Sequence, residues 1–207
     1  MYWILPVVAG TALLGAVSWS IVASNVETPD YEVLRKSDNI EIRLYGPMIV
    51  AETAVEGAHG DAISRGFRII ADYIFGNNLS SDKVAMTAPV TQQSNQSIAM
   101  TAPVSQQSEG AVSNVRFVMP SKYTMETLPK PVNPKVVLIE VPAKRFATIR
   151  FSGFAGQKSL DRQTAQLREY VSEQGLTSVN TPQYAFYNAP WTLPFMRRNE
   201  VMIELAD

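Results

Sequence analysis

The sequence predicts an α+β fold: a distorted antiparallel or mixed β-barrel of two pseudo-symmetric halves, flanked by two amphipathic helices and preceded by an N-terminal hydrophobic helix. Three observations carry this. Several short runs alternate apolar and polar residues with a period of two, the mark of a strand with one buried face. Two longer stretches place apolar residues at i, i+4, i+7 and i+11, which is one stripe of a helix. The order strand, strand, helix, strand then occurs twice, with Glu41 matching Glu140 and Gly76 matching Gly175. Neither copy can bury its apolar faces alone, so one curved sheet with both helices against it is the natural assembly.

In chain order, Trp3 to Val22 carries no charged residue over about the 20 residues a membrane-spanning helix needs. We read 1–23 as a transmembrane anchor or signal segment, 24–30 as a polar linker and 31–207 as the folded domain, placed outside the cytoplasm. No basic residue precedes the apolar run, which favours an uncleaved anchor over a cleaved signal peptide, with a buried helix as a third reading. In the domain, Ile40, Ile42 and Leu44 alternate, the chain turns at Gly46-Pro47, and MIVAETAV resumes as a second strand. Ile63, Phe67, Ile70 and Ile74 then form the first helical stripe, with Asp61 as N-cap, Gly76 as stop, and Arg65, Arg68 and Asp72 on the opposite face.

The six-residue string AMTAPV follows twice, from Ala85 and from Ala99. It predicts two edge strands joined as a hairpin by TQQSNQS, with Pro89 and Pro103 where an N–H is dispensable. Val115 to Met119 reads as a strand and Ser121 to Pro134 as a proline-punctuated loop. Val136 to Val141 and Phe146 to Phe151 are strands. The second helix runs from Ser159 to Gln174 on Leu160, Thr164, Leu167 and Val171, stopped by Gly175. Tyr184 to Tyr187 and Val201 to Leu205 close the fold around the aromatic loop NAPWTLPFMRRN, whose Arg197 to Glu200 reads as a solvated charge run in preference to an anion-binding corner.

Composition narrows the chemistry. A formal charge of -1 with scattered Lys and Arg argues against nucleic acid, which needs a basic surface. The absence of cysteine removes thiol catalysis, disulfides and Cys-ligated metals. His59 is the sole histidine, and no GxSxG or HExxH surrounds a nucleophile or metal, so no catalytic constellation stands out. Flanked by Gly57 and Gly60, His59 reads as a turn residue and is a weak candidate for a metal or haem-iron ligand. Met86 and Met100 hold the same place in the doubled string and suit the wall of a soft apolar pocket, or sulfur ligation of iron.

IEIRLYGPMIVAETAVEG, GDAISRGFRIIADYIFG, KVAMTAPV and the closing YNAP and RRNEVMIEL together resemble the SOUL/haem-binding protein family, over Tyr31 to Leu205. The domain is also similar to the effector-binding domains of some bacterial transcription regulators. The family resemblance implies a two-halved distorted barrel that binds haem or a related tetrapyrrole non-covalently, in an apolar cleft beside the first helix, as a carrier or buffer. Ile63, Phe67, Ile70, Met86 and Met100 would form the walls, and Arg65 and Arg68 would meet the propionates. Where relatives proposed to ligate iron carry histidine in R-H-Y-G-P, this chain has Leu44, so Leu44→His is expected to add an axial ligand. The positions that align best with the family's basic helix residues are Ser64 and Asp72, so Arg65 and Arg68 substitute from neighbouring turns. Two other readings stay open: a binding module for another amphipathic small molecule, and a membrane-tethered interaction module using residues 3–22 or the loop Ser121 to Pro134.

Overall fold

A computed structural model describes residues 26–57, 59–80 and 95–206. Among them, nine strands form one antiparallel sheet: β1 (Tyr31–Ser37), β2 (Ile40–Tyr45), β3 (Met48–Glu56), β5 (Val104–Glu109), β6 (Val112–Val118), β8 (Val137–Val141), β9 (Lys144–Phe151), β10 (Gln183–Phe186) and β11 (Asn199–Glu204). Two short strands, β4 (Asn78–Leu79) and β7 (Lys130–Pro131), pair separately and pin the loop at 121–134 to the end of the first helix. The helices are α1 (His59–Ile74) and α2 (Gln157–Glu173). The predicted apolar N-terminal helix and the first AMTAPV copy lie outside the described residues.

The sheet order, β1-β2-β9-β11-β10-β5-β6-β3-β8, explains the internal repeat. Setting β1 aside, it reads symmetrically from both ends, and each half gives its first strand to the other: β2 pairs with β9, and β8 with β3. Neither half is therefore a separate sheet. Ala51 and Ile149 take equivalent places, as do Phe117 and Val201, all fully buried under a helix. Glu41 and Glu140 are not equivalent, since Glu140 pairs with Ile49 on the helix side whereas Glu41 faces away from the helices.

Both helices cover the same face. Alternation sends Ala51, Val55, Val115 and Phe117 to α1, and Ile40, Ile42, Ala147, Ile149, Val201 and Ile203 to α2, giving two apolar clusters. The wholly buried Gln106, on the β5 strand that reaches the sheet's centre, donates to Ser113 at 3.0 Å.

Four expectations change. The sheet is a curled half-barrel with β1 and β8 as open edges, not a closed barrel. Strand β1 was not foreseen because nearly all its residues are exposed and no apolar face marks it. The second AMTAPV copy is not a strand along its length: Thr101 makes a single bridge to Glu27, and only at Val104 does the chain enter β5, whose hairpin partner is β6. Helix α1 begins at His59, so Asp61 lies in its first turn and is not the cap.

Candidate functional site

Helix α1 presses Ala62, Ile70, Tyr73 and Ile74 into the sheet. Gly66 lets its backbone approach closely, since a Cβ there would lie 2.5 Å from Val115 Cγ2. The Tyr73 hydroxyl donates to the Pro129 carbonyl at 2.8 Å, and burial pushes its pKa well above the ordinary tyrosine value. Past the helix, the buried Asn78 amide donates to the carbonyls of Tyr73 and Gln96, each at 2.8 Å, and fixes the chain that leads to the second AMTAPV copy.

The expected site residues are dispersed. Ile63 and Phe67 are half-buried on α1, with the Phe67 ring 5.4 Å from that of Phe117. Ile70 is 0% exposed and supports the helix from inside the core. Arg65 donates to the Glu56 carbonyl, and Arg68 is exposed without an ion pair among the described residues. Phe75, just past the end of α1, is an exposed aromatic. Met100 is exposed, His59 opens the helix, and Met86 lies outside the described residues. Leu44 is separate from all of these: its partners in the sheet are Glu32 and Arg145, in the half that α2 covers, whereas α1 packs on β3, β5 and β6.

One end of the sheet, where the β2–β3 turn meets the ends of β6 and β8, carries what sequence reading missed. A groove of about 920 Å³ is lined by Met48, Ile49, Val118, Met119, Tyr123 and Val141, with Glu27, Asp30 and Glu140 among its walls and no Lys or Arg among the described residues. It continues past Met48, Val118 and Val141 into a narrower branch beside Tyr45, Phe146, Tyr187 and Met202. The cations of that branch are already paired, Arg116 with Glu52, and Lys144 with Glu204 at 2.6 Å.

Beside the branch is a closed ionic cluster. Glu200, 0% exposed, accepts two bonds from Arg43 at 3.0 and 3.2 Å, one from Arg198 at 2.9 Å and one from the Tyr187 hydroxyl at 2.9 Å. Arg43 also reaches Glu41 at 2.8 Å and stacks 4.2 Å from the Tyr31 ring centre. Burial disfavours the Arg43 charge, but Glu200 outweighs it and the pKa is raised. Burial pushes the Tyr45 hydroxyl up to about 12, and drives Tyr187 higher still with Glu200 adding to it. Burial also works against the Glu41 charge, yet Lys36 and Arg43 together hold its carboxyl below the usual range. The run Arg197 to Glu200 is thus not solvated: strand β11 turns Glu200 inward against Arg43, which a linear reading of RRNE does not show. Its charges are engaged with one another, so the cluster sets the shape of the face it lies on.

Residues 26–204 match the family model described as SOUL heme-binding protein. The chain is 31% identical over 188 residues to human heme-binding protein 2, covering 87% of each chain, and 31% identical over 170 residues to the mouse protein, covering 79% of this chain and 76% of that one. The EcmrR C-terminal domain superposes with a TM-score of 0.56 at 11% identity, over 86% of this chain and 98% of that one. A hydrolase from Listeria innocua does so at 0.53 and 10%, over 84% and 94%. At such identities these two speak for the fold alone. The family match spans nearly all of the folded chain and agrees with the two-halved sheet: the protein belongs to the SOUL heme-binding protein family.

Proposed function

We propose that the chain binds haem or a related tetrapyrrole non-covalently on the outer side of α1, as a carrier or buffer without turnover. Its family membership is the observation that carries this reading. The residues present suit such a ligand. Phe67 and Ile63 offer a half-buried apolar surface, Phe75 is an exposed aromatic just past the end of the helix, and Arg65 and Arg68 are exposed cations of the same helix that would reach round to the propionates. Axial ligation is no part of the proposal. Leu44→His is now expected to leave the haemin spectrum unmoved, since that position sits in the α2 half.

The test is to compare the full chain with its Arg65→Ala/Arg68→Ala variant in haemin titrations. Two exposed charge contacts at up to about 1 kcal/mol each make a tenfold weakening the expected order. Equal affinities would remove the site from α1.

The groove favours a second reading, a module for another amphipathic small molecule. Its wide part combines apolar walls with Glu27, Asp30 and Glu140 and has no basic residue among the described ones, which suits a neutral or cationic head and opposes a dicarboxylate such as haem. A thermal-shift panel of amphipathic cations and anions discriminates, because a ligand present at 100 times its Kd adds about 2.7 kcal/mol of stability. Stabilisation by anions alone would end this reading.

A further inference from the structure

The loop between β10 and β11 holds its apolar side chains outward. Trp191 is 70% exposed and Phe195 74%, with Leu193 and Met196 beside them, and Phe154, 70% exposed, comes from the β9–α2 connection. The two segments are tied together. Gly153 donates to the Pro194 carbonyl at 2.8 Å, Asn199 donates to the Gly153 carbonyl at 3.1 Å, and the Arg197 guanidinium lies 5.3 Å from the Phe154 ring centre. Exposure of this much aromatic surface in one place marks an interaction site.

Three features indicate what it meets. First, the loop satisfies much of its own backbone: Thr192 donates to Ala189, Met196 to Leu193 and Arg197 to the Pro190 and Thr192 carbonyls, while Pro190 and Pro194 have no N–H to satisfy. Such a loop loses little when it leaves water. Second, Trp and Phe with a cation behind them are the side chains that settle at a bilayer interface. Third, Glu27, near the start of the described residues, is tied to the segment that leads into the strand beside this loop. Val104 at the start of β5 pairs with Phe186, the last residue before the loop, and Thr101, just ahead of Val104, bridges Glu27. The uncharged stretch Trp3 to Val22 precedes this bridge in the sequence.

We propose that Trp191, Phe195 and Phe154 form an interfacial foot that rests in the surface of a lipid bilayer, orienting the domain on the membrane. This is independent of the tetrapyrrole reading. To test it, the full chain carrying Trp3→Phe and Trp19→Phe, which leaves Trp191 as its one tryptophan, is reconstituted into phosphatidylcholine/phosphatidylglycerol vesicles. Trp191 fluorescence is then read with lipids brominated near the headgroup and with aqueous acrylamide. We expect a blue-shifted emission, quenching by the bromolipid and protection from acrylamide, with the bromolipid effect reduced several-fold by Phe154→Ser/Phe195→Ser. Three results overturn the proposal: Trp191 open to acrylamide and untouched by bromolipid, protection without bromolipid quenching, which means that protein covers the patch, or bromolipid quenching unchanged by the double serine variant.

Discussion

Glu200 shows how a single residue organises one face of this sheet. A wholly buried carboxylate is tolerable only because Arg43, Arg198 and Tyr187 all donate to it. Arg43→Met removes the bidentate partner and is expected to cost about 3 kcal/mol in urea denaturation, the low end for breaking a buried pair because Arg198 still faces the charge. A loss under about 1 kcal/mol, as for an exposed pair, would mean that the cluster is hydrated. Glu41 makes a pH prediction. Its pKa is depressed when folded, so its contribution is full above the unfolded carboxylate pKa and is lost as pH falls through the lowered one. The stability gap between the parent and Glu41→Gln should therefore be present at neutral pH and close in acid. A gap constant with pH would contradict the assigned pairing.

Among the elements, α1 is the one held closest to the sheet. Glycine inside a helix ordinarily weakens it, and Gly66→Ala would gain about 1 kcal/mol of helix propensity at an exposed position. Here the new methyl meets Val115 Cγ2 at 2.5 Å and Cβ at 2.6 Å, and Val115 is itself wholly buried, so overpacking of about 1–3 kcal/mol outweighs the gain. A stabilised variant in thermal denaturation would show that α1 can lift away from the sheet. The same contact limits the proposed site: only half-buried Ile63 and Phe67 can meet a ligand without opening the core. Their stripe was legible in the sequence as periodicity. Which members face outward was not, because a stripe of apolar residues looks the same whether it lies wholly or partly against a sheet.

For the molecule as a whole, what could be read beforehand was local or repeated. The turns at Gly46-Pro47, Gly76 and Gly175 and both helices follow from spacing and backbone preference, and the strand-helix repeat foretold two halves on one sheet. The exchange of β2 and β8 between halves was not readable, since strand partners far apart in sequence leave no local periodicity. Nor was the groove, whose walls come from segments as distant as Glu27 and Pro142. The exposed β1 and the polar β5 lacked an apolar face to announce them. The central claim joins this architecture to a tetrapyrrole, and a Soret-band titration of the full chain with haemin in mild detergent tests it most directly. We predict a saturable shift at one haemin per chain. A spectrum that only sums free haemin and protein at every ratio would contradict it.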